Sequence, residues 1–147
     1  MTILQSNPLK KVKAVGLLSG GLDSCLSAKL ISDQGIDVTA VFCKMPWGCG
    51  EENRVRALSE QLHLGFHVIE LGDEYLKLLQ NPRYGYGSSF NPCLDCHIFM
   101  IQKAAEYMRS TGADFVFTGE ILGQRPMSQR KDCLEIVEKQ CGLAGRL

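Results

Sequence analysis

The sequence predicts an α/β fold, in which an open parallel sheet carries helices on both faces. Two observations support this prediction. Apolar runs of strand length alternate along the chain with segments of helical spacing, as they do in doubly wound folds. The first run is apolar at nearly every position, which is typical of a parallel strand buried on both sides. The predicted strands are residues 12–18, 37–45, 65–71 and 113–118.

The segments between these runs predict the helices. Apolar residues recur at helical spacing after the first strand until Gly35 ends the pattern, and similar spacing follows the second strand. In a parallel sheet, ligands bind at the carboxyl ends of the strands, and we expect Ser19, Cys43 and Gly119 to line that edge. The predicted helices are residues 24–34, 51–62 and 73–79, a long helix before the fourth strand, and 128–140.

Length and composition indicate one globular domain. The chain has 147 residues, no net charge and 45% hydrophobic residues, so we expect a single domain over 1–147 with a lead-in at 1–12. Nothing in the overall charge indicates a nucleic-acid partner. Because no fifth strand follows the last helix, we expect a C-terminal region to be missing.

The cysteines and the amino terminus indicate the compartment. There are seven cysteines, an odd number, and no apolar segment long enough for a secretory core or a membrane span. We therefore expect a cytoplasmic protein without a membrane partner. There, paired cysteines serve metal binding or catalysis more often than disulfides.

The stretch from Lys13 to Ser24, KAVGLLSGGLDS, organises the rest of the chain. A strand leads into a glycine turn and then a helix, which leaves backbone N–H groups free to bind an anion. The turn lacks the Gly-Lys-Ser/Thr ending of the common phosphate loop. The alternative is a plain turn with Asp23 or Ser24 as the helix cap. The residues predicted to hold phosphates are Leu18, Ser19, Gly20, Gly21, Asp23 and Ser24.

The hexapeptide SGGLDS resembles the SGGxDS signature of the PP-loop ATP pyrophosphatases, which split ATP between the α and β phosphates. The resemblance implies an adenine nucleotide alpha hydrolase-like, Rossmann-like fold, with ATP and Mg²⁺ as cofactors. Asp23 is suited to help hold the Mg²⁺. Phe42 is placed to contact the adenine, although a core position is an equally good interpretation. Gly119 and Arg125 are further predicted nucleotide contacts at the same sheet edge.

A second motif is the pair Cys93 and Cys96 in NPCLDCH. Asn91 is a good helix cap and Pro92 suits the first helical position, so both thiols lie on one face near the helix start. The positive end of the helix favours the thiolate at Cys93 and, less strongly, at Cys96. The pair fits a redox site, half of a zinc site, part of an iron–sulfur site, a sulfur-carrying nucleophile or two buried small residues. For His97 we favour a structural role.

The segments NPCLDCH, GADFVFTGE and VTAVFCKMPW resemble, in the same order, segments of the bacterial tRNA 2-thiouridylases, a branch of the PP-loop family. Cys96 corresponds to the cysteine that acts on the activated nucleobase, whereas Cys93 and Glu120 stand where that branch has Asp and His. Other PP-loop thiolation enzymes hold an iron–sulfur cluster with a C-x-x-C pair and one distant cysteine. The candidates for that third ligand are Cys25, Cys43, Cys49, Cys133 and Cys141.

These observations predict an ATP-dependent tRNA sulfurtransferase. The predicted catalytic residues are Cys96, Cys93 and Asp23, and Cys93 with Cys96 are also the predicted metal ligands. The expected partners are tRNA and either a sulfur donor protein or sulfide. The alternatives are an adenylating enzyme of the same fold that acts on a small molecule and a non-catalytic module that binds nucleotide or zinc.

Overall fold

Four parallel strands form one sheet in the order β3-β2-β1-β4. The structure is a computed structural model that describes residues 10–47, 51–86, 92–125 and 128–147. In these ranges the strands are β1 (Lys13–Leu17), β2 (Asp37–Lys44), β3 (Gly65–Glu70) and β4 (Phe115–Phe117), and the helices are α1 (Leu22–Ser32), α2 (Glu52–Gln61), α3 (Asp73–Gln80), α4 (Cys93–Thr111) and α5 (Lys131–Cys141).

Helices cover both faces of the sheet, as the sequence predicts. Alternate residues of each strand point to opposite faces, which divides the core in two. On one face, Val15 and Val41 pack with α4 and α5 residues such as Ile101. On the other face, Ala40 packs with Val55 of α2 and with α1. The predicted α/β fold is confirmed.

The helix starts differ from the prediction for identifiable reasons. Helix α1 is capped by Gly21, so the assignment of Asp23 or Ser24 as its cap is wrong. Helix α4 is capped by Pro92, one residue before the position predicted for it, and Asn91 lies outside the described residues. Cys93 still falls in the first turn of α4.

Helix α5 begins at Lys131 rather than at Ser128. The Gln129 N–H donates to the Arg125 carbonyl at 3.2 Å, and the Gly123 N–H donates to the Gln129 carbonyl at 2.7 Å. The second bond occupies the Gln129 carbonyl, which a helix that began at Ser128 would offer to the Cys133 N–H.

The strand order creates a crevice beside β1. The chain passes from β1 to β2 and β3 on one side and then returns to place β4 on the other side. Ligands of open α/β sheets bind where the order reverses, at the carboxyl ends of the strands. The fold therefore predicts a ligand site at the carboxyl ends of β1 and β4. Among the described residues, no helix combines the length and apolar character needed to cross a membrane.

Candidate active site

A cavity of about 580 Å³ opens at the carboxyl ends of the strands, at the β1–β4 reversal. Residues after β1 form one side, which we name the phosphate wall: Leu18, Ser19, Gly21, Asp23 and Ser24. Residues after β4, together with one from α4, form the other side, which we name the β4 wall: His97, Thr118, Glu120, Arg125 and Gln129.

Hydrogen bonds within the turn hold the phosphate wall in shape. The Ser24 hydroxyl donates to the Gly21 carbonyl at 2.9 Å, and the Gly21 N–H donates to the Ser19 hydroxyl at 3.3 Å. Gly20 has a φ of +84°, a left-handed conformation that glycine adopts without strain. The turn thus presents two hydroxyl groups and the amino-terminal end of α1 to the cavity, an arrangement suited to an anion.

Gly119 brings β4 against the start of α1. A Cβ at this position would lie within 2.8 Å of three backbone atoms of Asp23 and Ser24. No real side chain fits at that distance, so the absence of a side chain at Gly119 lets the two walls meet. The sequence predicts Gly119 as a nucleotide contact at a strand end, and it does not reveal this close approach to α1.

The predicted nucleotide contacts converge on this cavity. Asp23, Phe42 and Arg125 line it together with the serines of the turn, whereas Gly20 shapes the turn. Phe42 is 5% exposed and belongs to the core as well as to the cavity lining. Its position is compatible with both predicted roles, a core residue and an adenine contact. The nucleotide-binding role of these residues stays a prediction.

A carboxylate–imidazole pair lies on the β4 wall. His97 Nε2 and Glu120 Oε2 are 2.7 Å apart, and their side chains are 16% and 14% exposed. Thr118 Oγ1 lies 3.3 Å from the same carboxylate oxygen. Such a pair can move a proton within a sheltered site. The structural role favoured for His97 overlooked this contact, because the two residues are 23 positions apart.

The cysteine pair lies beside the cavity. Among the described residues, the lining includes Cys43 but neither Cys93 nor Cys96. Cys96 is next to His97 in α4, and the phenol oxygen of Tyr75 is 2.8 Å from its sulfur. The catalytic role of Cys93 and Cys96 stays a prediction; Cys96 directly precedes His97 of the β4 wall in the sequence.

Burial disfavours the thiolate form of Cys96 and of Cys43. Burial raises the pKa of Cys96, an effect that the Tyr75 hydrogen bond opposes and that nearby Cys93 reinforces. The expectation of a favoured thiolate at Cys96 is therefore wrong, because burial raises the pKa of this thiol. Burial also raises the pKa of Cys43 to about 12, with a smaller contribution from Cys96.

Asp95, between the two cysteines, anchors the chain that precedes them. Its carboxylate accepts the backbone N–H groups of Arg83 and Tyr84, both at 2.9 Å, and the residue is 6% exposed. Two backbone donors satisfy the buried charge. The sequence gives no signal for this role, because the partners follow α3 and lie more than ten residues away.

The residues present fit Mg²⁺ better than a metal cluster. Asp23 offers a carboxylate at the phosphate wall, and Mg²⁺ in nucleotide sites needs only one or two carboxylates beside substrate phosphates. An iron–sulfur cluster needs more thiolates than Cys93 and Cys96 supply. Within the described ranges, no group of three or more His, Cys, Asp or Glu residues is placed to hold a metal. Cys49 lies outside those ranges.

Known sequences resemble this chain over part of their length. It is 32% identical over 120 residues to the "tRNA-specific 2-thiouridylase MnmA" of Helicobacter hepaticus, and the alignment covers 74% of this chain and 34% of that protein. It is also 32% identical over 117 residues to the "Uncharacterized protein MJ1638" of Methanocaldococcus jannaschii. That alignment covers 77% of this chain and 42% of the relative. The chain thus spans less than half the length of these relatives.

Two solved structures and one sequence family also resemble this chain. A "4-thiouridine synthetase - RNA complex with bound ATP" matches 88% of this chain and 34% of its own, with a TM-score of 0.70 and 25% identity. An NMN synthetase from Francisella tularensis shares the fold. It matches 72% of this chain and 44% of its own, with a TM-score of 0.55 and 17% identity. The family described as "Thiamine biosynthesis protein (ThiI)" matches residues 10–144. The chain belongs to this family.

Proposed function

We propose that this chain is the ATP-using domain of a tRNA sulfurtransferase, which activates a uridine carbonyl by adenylation and replaces its oxygen with sulfur. The observation that carries the proposal is the single cavity, in which an anion-binding turn faces a carboxylate–imidazole pair with a C-x-x-C pair alongside. The resemblance to a 4-thiouridine synthetase with bound ATP and RNA supports it.

ATP is assigned to the phosphate wall. The hydroxyls of Ser19 and Ser24 and the start of α1 suit the triphosphate, and Phe42 lies on the adenine side, at the end of β2. Asp23 would hold Mg²⁺, which supplies positive charge to neutralise the departing pyrophosphate. The loop lacks the lysine that usually reaches the terminal phosphates, which agrees with cleavage between the α and β phosphates.

The first chemical step joins the uridine carbonyl oxygen to the α-phosphorus of ATP. An O–P bond forms, the bond to the β-phosphate oxygen breaks, and pyrophosphate leaves. The uracil ring retains its N3 proton and becomes a cationic, O-adenylated electrophile. The Glu120 carboxylate lies on the facing wall, where negative charge stabilises that cation.

The second step delivers sulfur. A hydrosulfide ion attacks the activated carbon, AMP leaves with the former carbonyl oxygen, and the S–H proton passes to the His97–Glu120 pair. Alternatively, a sulfur donor protein supplies sulfane sulfur to Cys96 as a persulfide, whose terminal sulfur attacks the activated carbon while AMP leaves. The Cys93 thiolate then attacks Cys96 Sγ and displaces the sulfur that is now bonded to the uracil ring. That route leaves thiouridine and a Cys93–Cys96 disulfide, which an external thiol must reduce for the next turnover.

The direct test uses this chain with ATP, Mg²⁺, unmodified tRNA and sulfide. We expect release of pyrophosphate and AMP that depends on the RNA, together with a thionucleoside detected by mass spectrometry. Orthophosphate and ADP as the products, or no release with any tRNA and sulfur donor, would contradict the proposal.

A small-molecule acceptor is the second candidate, because the chain has no net charge and RNA-binding proteins are commonly basic. The same assay separates the two. A small-molecule acceptor is supported if added tRNA leaves pyrophosphate release unchanged and a pool of metabolites with amide or carboxyl groups increases it.

A further inference from the structure

The exposed aromatic side chains lie together beside the cysteine pair. Among the described residues, three aromatic side chains are exposed: Trp47, Tyr84 and Tyr86 are 54%, 40% and 47% exposed. We name these three residues the aromatic surface. Scattered apolar side chains on a surface need no explanation, but a group of them at one place marks a site of interaction.

Trp47 reaches the cysteine pair through Tyr75. Trp47 follows β2 at the carboxyl edge of the sheet, and its ring centroid lies 5.8 Å from that of Tyr75. The phenol oxygen of Tyr75 lies 2.8 Å from the sulfur of Cys96. Trp47 is thus separated from the Cys96 thiol by one buried ring, and more than half of its own surface stays in water.

Hydrogen bonds hold the other two rings beside the same cysteines. The carboxylate of Asp95, between the two cysteines at the start of α4, accepts the backbone N–H of Tyr84 at 2.9 Å. The Tyr86 hydroxyl donates to the Leu79 carbonyl in α3. Because both rings are held in place before a partner arrives, binding on them costs less conformational entropy.

Arg83 adds a positive charge next to these rings. It is exposed, and its guanidinium carbon lies 5.6 Å from the centroid of the Tyr84 ring. The guanidinium donates to Gln140 Oε1 at 3.3 Å, and among the described residues it forms no ion pair with a carboxylate. Its charge is therefore available to a phosphate group, whose oxygens suit the paired N–H donors of arginine.

We propose that the aromatic surface binds the unpaired RNA nucleotides next to the target uridine, whose bases stack on its rings while Arg83 contacts a phosphate. This inference rests on the proposed function and names the surface that presents the target base to the cysteine pair. Unpaired bases are free to stack on aromatic side chains, whereas the bases of a duplex are stacked on each other. The surface therefore fits a loop or a single strand of RNA.

The type of contact agrees with the charge of the chain, which has no net charge. Proteins that bind nucleic acids mainly through phosphates need many lysines and arginines, and salt weakens their binding strongly. Stacking needs no positive charge and accepts any base, because each base has a planar face. We therefore expect an affinity for single-stranded RNA that depends only weakly on salt.

The first test uses Trp47 as the probe, because it is the single tryptophan of the 147-residue sequence. Its fluorescence is followed while a short single-stranded oligouridine, a duplex RNA of the same length, or ATP is added. We expect oligouridine to quench the emission, since a stacked base contacts the indole ring, and we expect little change with the duplex or with ATP. An emission that oligouridine leaves unchanged overturns the inference, as does equal quenching by the duplex or by ATP.

Variants of Tyr84 separate the effect of a ring from that of an apolar side chain. Tyr84→Leu removes the ring and Tyr84→Phe keeps it, and both keep the backbone N–H that Asp95 accepts. We expect Tyr84→Leu to raise the Kd for oligouridine about tenfold and Tyr84→Phe to change it less than about twofold, at equal Tm and ATP affinity. Leu26→Ala, in the exposed part of α1, is the control for loss of apolar surface. Equal affinities of the two Tyr84 variants overturn the inference and assign the surface to a protein partner.

Arg83→Gln tests the phosphate contact. Loss of one phosphate contact lowers the slope of log Kd against log salt concentration by about 0.7 for a single strand. The control is Lys131→Gln, which removes an exposed charge at the start of α5. A slope equal to that of the control shows that Arg83 does not contact a phosphate and overturns that part of the inference.

The inference and the proposed function fail differently, because oligouridine binding is measured without turnover. If wild-type protein releases pyrophosphate with tRNA but the two Tyr84 variants bind oligouridine equally, only the inference is wrong. If oligouridine binds as expected but no RNA supports pyrophosphate release, the proposed function fails while the RNA-binding surface stands.

Discussion

The two walls of the cavity are built in different ways. The phosphate wall is a contiguous stretch whose shape comes from backbone geometry: the left-handed Gly20, the Ser24 bond to the Gly21 carbonyl and the close approach of Gly119. The β4 wall is assembled from side chains of α4 and of the segment after β4, with contacts such as His97 to Glu120. One wall is suited to hold a fixed anion and the other to move a proton.

This difference separates binding from chemistry. A wall made by backbone groups tolerates few changes, because each substitution alters its shape. A wall made by side-chain pairs can be changed one atom at a time without moving the chain. Substitutions on the phosphate wall should therefore affect the affinity for ATP, and substitutions of His97 or Glu120 on the β4 wall should affect turnover at unchanged ATP affinity.

The largest effect is expected for Glu120→Gln. This change removes the negative charge that faces His97 at 2.7 Å while keeping the side-chain shape. Loss of a positioned proton acceptor lowers turnover by roughly a hundredfold or more, and thionucleoside formation measures it. ATP affinity, measured by calorimetry, should stay within about twofold of wild type. The control is Glu106→Gln on the exposed face of α4. A large loss of ATP affinity would remove the distinction between the walls.

Gly119→Ala should act on binding and folding. The new methyl group would lie within 2.8 Å of backbone atoms of Asp23 and Ser24, so the start of α1 must shift. Overpacking of this kind costs about 1–3 kcal/mol, and we expect a lower Tm together with ATP binding weakened about tenfold. Gly72→Ala is the control, because a Cβ there meets nothing within 4 Å. Equal behaviour of the two variants would contradict the close approach.

A smaller change is expected for Ser24→Ala. Its hydroxyl donates to the Gly21 carbonyl at 2.9 Å and lies 3.4 Å from the Ser19 hydroxyl. Removing one such bond costs about 1 kcal/mol, so ATP affinity should fall about fivefold. Ser27→Ala tests the same residue type in the same helix, since the Ser27 hydroxyl donates to the Asp23 carbonyl within the helix. We expect no change in ATP affinity for that control, and a matching loss in both variants would argue against a special role for the turn.

The smallest effect concerns the thiol beside the β4 wall. The Tyr75 hydroxyl lowers the pKa of Cys96, although burial keeps that pKa above its usual value. Tyr75→Phe removes this contribution, so the pKa rises further and less thiolate is present at any pH near it. Alkylation of Cys96 by iodoacetamide, followed by peptide mass spectrometry, should shift to higher pH in the variant. An unchanged or lower pH profile would mean that the hydroxyl does not stabilise the thiolate.

The sequence predicts the phosphate wall and the sheet well because both depend on neighbours along the chain. The SGGLDS turn follows its strand directly, and four apolar runs separated by helical segments indicate a parallel sheet. The α1 cap was misassigned because Asp23 and Ser24 are both good capping residues, yet Gly21 takes that position.

The β4 wall could not be predicted in the same way. The contact between His97 and Glu120 depends on how α4 packs beside the end of β4, and the pattern of neither segment contains it. The pKa of Cys96 likewise depends on burial, which a position near a helix start does not reveal.

The central claim is that ATP activates a carbonyl oxygen of the RNA, and the origin of one oxygen atom in AMP tests it. The reaction is run with tRNA, ATP and sulfide in water enriched in oxygen-18, and the AMP is analysed by mass spectrometry. If the oxygen comes from uridine, AMP contains no oxygen-18. AMP that carries one oxygen-18 atom from the solvent would show that water attacks the α-phosphorus, and would contradict the account.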